Sequence, residues 1–241
     1  MNLSIQTGKY PTKFKISKIC PIFKSDDQTS PSNYRPISLL SVFNRIFEKT
    51  VYNRLSNFIE KQQILCDIQY GFRKNHSTQH ALLDIINTIQ YNMDHKLYTC
   101  AVFIDLAKAF DTVDHDILLK KLDVYGIRGC LYDWLKSYLS DRTQTTCINN
   151  HISKKATISY GVPQGSILGP LLFLLYINDI CMASKVLKFL LFVDDTNIIY
   201  SDKNPKNLEL VMNSELAKLQ DWITANKLTI NVKKSNFVVF H

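Results

Sequence analysis

The sequence has no C-x-x-C pair, no internal repeat, no low-complexity stretch and no obvious linker. Nor does it have an apolar run long enough for a membrane: the longest, Leu168 to Ile177, contains Gly169 and Pro170 and stops at Asn178-Asp179, whereas a spanning helix needs roughly 20 apolar residues. Met1 to Tyr10 is polar and no apolar segment follows, so no signal peptide is expected. The six cysteines, Cys20, Cys66, Cys100, Cys130, Cys147 and Cys181, are widely scattered, several of them inside apolar segments. They read as reduced core residues of an intracellular protein, in cytoplasm or nucleus. Acidic charge is scarce at one end. Residues 1 to 75 hold 12 Lys and Arg against 5 Asp and Glu, and the remainder 17 against 16, so the formal net charge of +8 is concentrated in the first third. A solvated basic surface and a surface for a polyanion both fit that distribution.

At 241 residues and 46% hydrophobic, the chain is long enough to bury a core as one large domain or two closely joined ones. Pro11, Pro21, Pro31 and Pro36 argue for short strands and loops over residues 11 to 37. Helical spacing begins near Ile37, with Leu40, Phe43, Ile46, Phe47, Val51, Leu55 and Ile59 on one face. A second helix opens after Ser77, a suitable N-cap, with the stripe Ala81, Leu82, Ile85, Ile86 and Ile89. His76 and His80 read as residues of that helix start. Thr99 to Ile104 reads as a buried strand, followed by a helix from about Asp114 to Gly126 and a short one over Leu131 to Leu139. Gln144–Ile148 and Ala156–Ser159 are expected to pair. An apolar helix ends near Asp179, a hairpin follows, then a helix from about Pro205 to Ala225 and a strand from Phe237 to Phe240. This order suits an α+β layer, an antiparallel sheet with helices on one face.

The hairpin carries adjacent aspartates, Asp194 and Asp195, between Lys188–Val193 and Thr196–Tyr200. Packing does not explain them. Paired carboxylates at a hairpin tip repel, and such a turn ordinarily uses Asn-Gly or Asp-Gly. A divalent cation that prefers oxygen ligands would hold them. Asp105 directly follows the strand Cys100–Ile104, so its carboxylate emerges at a strand end. Were that strand beside the hairpin, Asp105 and Asp194 would converge and could share two Mg²⁺ ions about 4 Å apart, as in in-line phosphoryl transfer. From the residues alone, the reading is a two-metal nucleotidyl transferase.

Three blocks sharpen it. Phe103-Ile-Asp-Leu-Ala-Lys-Ala-Phe-Asp111, Gly161-Val-Pro-Gln-Gly-Ser-Ile-Leu-Gly-Pro170 and Phe192-Val-Asp-Asp195 resemble motifs A, B and C of reverse transcriptases, in that order. Asn33–Leu40, Gln69–Thr78 and Asn231–Ser235 resemble the fingers motifs and motif D of non-LTR retrotransposons of the jockey and CR1 kind. The resemblance runs from about Lys15 to Phe240. Two positions depart from it: Val193 stands where the family usually has Ala, and Asp26 where a glycine is usual after Lys24.

The resemblance implies a right-hand polymerase, with fingers in residues 1–95 and palm in 96–241 together with some fingers elements, the palm sheet antiparallel and backed by helices. It implies that the thumb and primer grip lie outside this sequence. Asp105 and Asp194 would be metal ligands, with Asp195 a weaker ligand beside them. Phe110 would be the steric gate against a 2′-hydroxyl. Gln164 and Gly165 would meet the incoming nucleotide, Lys24 and Arg35 its triphosphate, Arg73 and Lys74 the template backbone, and Lys234 the departing pyrophosphate. The implied cofactors are two Mg²⁺ ions, with Mn²⁺ able to substitute, and the implied partners an RNA template, a DNA primer and deoxynucleoside triphosphates, with no membrane. The alternative is an inactive truncated retroelement remnant that at most binds RNA. An RNA-directed RNA polymerase usually has Gly before the paired aspartates and no aromatic gate, which Val193 and Phe110 do not match. Oligomeric state is left open.

Overall fold

A computed structural model describes residues 1–149 and 151–241. The elements, in chain order, are α1 (Asn2–Gln6), β1 (Ile16–Phe23), β2 (Tyr34–Leu39), α2 (Val42–Lys61), α3 (Thr78–Asp94), β3 (Tyr98–Ile104), α4 (His115–Val124) and α5 (Gly129–Leu139). There follow β4 (Arg142–Ile148), β5 (His151–Ile152), β6 (Ala156–Ile158), α6 (Leu168–Ile177), β7 (Lys188–Phe192), β8 (Asp195–Asp202), α7 (Pro205–Ala225) and β9 (Asn236–Phe240). They form two compact units, Met1–Ile64 with Phe110–Tyr176, and Leu65–Ala109 with Ile177–His241. Each unit takes residues from both sides of the 95/96 boundary expected from the sequence. None of the described helices is long and apolar enough to cross a membrane.

The first unit holds the sheet β2-β1-β4-β5, with β6 also paired to β4. β1 and β2 are antiparallel, β1 and β4 parallel, and β4 and β6 pair as expected from the sequence. The helix expected from Ile37 begins at Val42. Residues 34 to 39 extend instead as the partner strand of β1, and the Ser41 side chain accepts the Asn44 N–H as N-cap. The buried face of α2 is also not purely apolar. Phe43 and Ile46 are exposed, while Asn44 and Glu48 lie inside with Val51, Leu55 and Ile59.

Glu48 is inside because its carboxylate serves buried donors. It accepts hydrogen bonds from the Ile167 N–H at 2.6 Å and the Tyr138 hydroxyl at 3.0 Å. The Leu168 N–H stands at 3.4 Å, so a negative group faces the start of α6, where the helix dipole favours it. Arg142, equally buried, stacks its guanidinium 4.9 Å above the Tyr138 ring. Tyr138 also meets Tyr10 edge-on and lies parallel to Trp134.

The second unit holds the antiparallel sheet β7-β8-β3-β9. Its helices cover both faces rather than one. Ala101 and Phe103 lie with Ile85 of α3, whereas Cys100 and Val102 of the same strand line a cavity with Leu208 and Met212 of α7. The reason is legible in β3: Cys100-Ala-Val-Phe-Ile104 is apolar at every position, so both faces of the strand must be covered. Ser77 caps α3 as expected, accepting the His80 N–H, but Leu82 and Ile86 of the anticipated stripe are exposed. β9 ends the sheet with Phe237, Val238 and Val239 all exposed.

The cysteines are all free, yet only Cys100 is a core residue. Cys130 is exposed in the first turn of α5 and the other four are half-buried.

Burial pushes the Glu48 carboxyl above its ordinary value of 4.5, against the hydrogen bonds and the Arg142 charge that lower it. A folded state with the higher value keeps a proton that the unfolded chain has already released. Stability from this group therefore falls as pH rises from about 4.5 through the raised value. Glu48→Gln is expected to flatten that slope, read as urea midpoints across the window. Glu48→Ala is expected to cost about 1–3 kcal/mol for each donor it leaves unpaired, the buried Ile167 N–H and the Tyr138 hydroxyl.

Candidate active site

The antiparallel register of β3 on β8 sets Ile104 opposite Thr196. The same register, continued one step past its last paired residues, leads to Asp105 and Asp195. Like charges brought together at a strand pair are destabilising, so this position is costly on packing grounds. Asp105 and Asp195 line one cleft of about 360 Å³ with Asn197, Lys234, Phe103 and Ile85. Burial first, and then the Asp105 charge, push the Asp195 carboxyl above its ordinary 3.8, although the residue as a whole is exposed.

Asp105 is held by the segment after α7. The Asn231 side-chain amide donates to its Oδ2 at 2.7 Å, and the Asn231 N–H donates to its carbonyl at 2.8 Å. Its own N–H donates to Ser235 Oγ at 3.2 Å, and that hydroxyl donates in turn to the Asn231 carbonyl. Lys234, exposed, reaches the cleft from the same segment.

The hairpin closes on two residues, Val193 and Asp194, since Phe192 pairs with Asp195. Val193 has φ 61° while Asp194 is not left-handed. A positive φ at the first loop position alone is the place where a type II′ turn takes glycine, and a β-branched residue there is a conformational outlier. Asp194 is half-buried at this turn and is not among the residues lining the cleft; its other neighbour, Asp195, is.

Among the described residues no group of three or more His, Cys, Asp or Glu side chains is close enough to hold an ion. Asp105 and Asp195 come together as a pair. Their chemistry fits Mg²⁺, which binds through one or two carboxylates and completes its shell with water and substrate phosphate oxygens rather than an all-protein cage.

The remaining candidates lie partly in the first unit. The Phe110 ring stacks on Phe173 at 4.7 Å between centroids. The Gln164 amide donates to Asp111 Oδ1 at 2.9 Å, and its carbonyl accepts the Ser38 N–H. Gly165 has φ 98°, where other L residues are strained, and an added Cβ would crowd the Ser38 carbonyl oxygen at 3.1 Å. Arg35, exposed on β2, pairs with Ile22, and the Lys24 N–H donates to the Asn33 carbonyl, so both belong to the β1–β2 hairpin. Asp26, where the sequence departs from glycine, has φ 71°, the conformation that glycine reaches without strain. In the second unit, Arg73 donates to the Cys66 and Gln69 carbonyls at 2.8 and 3.2 Å, while Lys74 is exposed.

Sequence reasoning missed Asn231, Ser235, Gln69 and Glu48 as positioning groups. Asn231 and Ser235 sit at i, i+4 spacing within the block that resembles motif D. Glu48 had one signal, a carboxylate interrupting an otherwise apolar helical face.

The family model for reverse transcriptase (RNA-dependent DNA polymerase) matches residues 22–239. The chain belongs to the reverse transcriptase family. Its relatives include the probable RNA-directed DNA polymerase from transposon BS of Drosophila melanogaster, 34% identical over 97% of this chain. The RNA-directed DNA polymerase from mobile element jockey of the same species is 30% identical over 99% of it. The chain spans 27% of the length of each. Among solved structures, telomerase from Candida tropicalis in complex with a fragment of telomeric RNA superposes with a TM-score of 0.64. That match covers 96% of this chain and 42% of the other, at 14% identity, a likeness of fold. Reverse transcriptases generally use divalent metals, in keeping with the facing carboxylates here.

Asp105→Asn is expected to bring the Asp195 carboxyl down toward 3.8, because it removes a neighbouring negative charge. Carbon-13 carboxyl titration by NMR reads this directly, and an unmoved Asp195 would contradict the facing-pair geometry.

Proposed function

We propose that this chain carries the polymerising site of an RNA-directed DNA polymerase, adding deoxynucleotides to a primer 3′-hydroxyl on an RNA template. The observation that carries the reading is the Asp105–Asp195 pair, two like charges that line one cleft at the end of the β3–β8 pairing in a chain of this family. Fingers elements fall in residues 1–95, and the palm in 96–241 with some further fingers elements. The activity of the full-length relatives, their primer and their nucleotide substrates come to this chain only through this proposal, as does an intracellular setting.

Two Mg²⁺ ions, replaceable by Mn²⁺, would supply activation of the attacking oxygen and neutralisation of the pyrophosphate. Asp105, Asp194 and Asp195 would hold them, Asp105 and Asp195 from the cleft and Asp194 from the adjoining turn, with nucleotide phosphates supplying further oxygens. The chain's own groups do the rest. Asn231 and Ser235 keep Asp105 from turning away from the cleft. Lys234 would give a proton or positive charge to the leaving pyrophosphate. Lys24 and Arg35 would bind the triphosphate, Arg35 through its fork of donors. Gln164 and Gly165 would set the base and the backbone approach, and Lys74, with Arg73 bracing its loop, the template phosphates.

Phe110 acts by volume. Its stacking on Phe173 removes the freedom to swing aside, so a rigid ring under the sugar would exclude a 2′-hydroxyl.

Two experiments test the reading. Asp105→Asn or Asp194→Asn is expected to lower primer extension on an RNA template by about a thousandfold or more, the equivalent of several kcal/mol of transition-state stabilisation. Asp195→Asn should retain a measurable fraction. Extension by the first two variants at the parent rate would sink the assignment, and a parent chain that retains RNA on a filter but extends nothing would favour the remnant. Phe110→Val is expected to admit ribonucleotides while leaving deoxynucleotide incorporation intact, read as the ratio of kcat/KM values for the two sugars.

A further inference from the structure

The strained turn beneath the aspartates has a partner outside motifs A, B and C. Gln69 is 2% exposed, and its side-chain amide is aimed at Val193. Its Oε1 accepts the Val193 N–H at 3.0 Å and the Gly71 N–H at 2.7 Å, and its Nε2 stands 3.5 Å from the Val193 carbonyl oxygen. The two N–H donors decide which end of the amide is oxygen. Gln69 is itself fixed. Residues 68 to 70 run along the outer edge of β7, where the Leu191 N–H donates to the Ile68 carbonyl and the Tyr70 N–H to the Leu191 carbonyl, both at 2.8 Å. Arg73 holds the Gln69 and Cys66 carbonyls from the other side. Gly71 completes the cradle, since a Cβ there would collide with the Val193 side chain and lie 2.6 Å from its nitrogen.

We infer that Gln69 is a positioning residue for the paired aspartates, a side-chain clamp that holds Val193 in its left-handed conformation and so aims Asp194 and Asp195. A type II′ turn with glycine holds itself. With valine in that place the turn relaxes unless something outside the hairpin retains it, and Gln69 meets both backbone polar groups of that residue. When the clamp is lost, Asp194 and Asp195 leave a fixed relation to β8 and the cleft, and the transition state suffers more than nucleotide binding does. The inference rests on the polymerase reading for its consequence in activity, though not for the clamp itself.

The test is Gln69→Met, close in volume and without the amide, alone and combined with Val193→Gly. In Gln69→Met we expect kcat for primer extension to fall about 10–100-fold, the usual range for a group that orients a metal ligand, with KM for deoxynucleotide within about threefold of the parent. Val193→Gly added to it should restore most of that loss, because glycine adopts positive φ unaided. A kcat within twofold of the parent overturns the inference, as does a folded variant, judged by its melting temperature, that glycine fails to rescue. Amide hydrogen exchange in the parent covers the case in which Gln69→Met does not fold. The Val193 N–H should be protected although it lies in a turn, and fast exchange there overturns the clamp. A parent chain that extends no primer yet protects Val193 refutes the polymerase reading and keeps the clamp.

Discussion

Everything in the second unit is arranged around a repulsion. Antiparallel pairing of β3 with β8 is strongly specified, because β3 is buried on both faces and a one-residue slip would exchange its two sets of side chains. That register leads on to Asp105 and Asp195, two negative charges one step past its last paired residues, and the Asp105 charge acts on Asp195. The hydrophobic pairing of the sheet offsets the cost, and the surrounding segments add restraint. Asn231 and Ser235 hold one aspartate through four hydrogen bonds that include their own cross-link, and Gln69 holds the turn beside the other. A site whose charges oppose its own fold is stable only with that much second support.

The first unit meets a related problem with a different device. Its loop from Gly161 to Ile167 crosses close to neighbouring backbone: a Cβ at Gly161 would collide with the Asp111 carbonyl oxygen, and one at Gly165, where φ is 98°, would crowd that of Ser38. Flexibility gained from glycine has to be taken away elsewhere. Glu48 does so by accepting the N–H groups at the end of the loop, and the buried Tyr138 hydroxyl holds Glu48 in turn. A buried charge that looks wasteful for stability keeps a loop between Gln164 and α6 in one conformation.

How much of this was legible in the sequence follows the range of the interactions involved. β3, the aspartate hairpin, the Ser77 cap, the β4–β6 pair and the stop of α4 before Gly126 all rest on local pattern, and all stand where the pattern put them. The failures have distant causes. Helical spacing from Ile37 was real in the sequence, but pairing with β1 drew residues 34 to 39 into a strand. Single-faced sheet coverage was expected from element order, while the unbroken apolar run in β3 already required two covered faces. Asp105 and the hairpin were found because strand ends and paired carboxylates are visible in one dimension. Which aspartate faces Asp105 was not, since that depends on register across β8. Gln69 lies 124 residues from Val193, and no spacing rule reaches that far.

The four-stranded sheet has unlike edges. At β7 the backbone of residues 68 to 70 takes up the outward N–H and carbonyl of Leu191, so the edge is capped there by the same segment that carries Gln69. At β9 the described residues place no strand outside Asn236–Phe240, and Phe237, Val238 and Val239 lie in water with no lysine or proline among them. An edge of that kind is a template for adding strands. That open edge starts beside the chemistry, since Asn236 pairs with Phe103 of the cleft and follows the Ser235 that holds Asp105, so a charge meant to blunt it belongs at the far end of β9, toward Phe240.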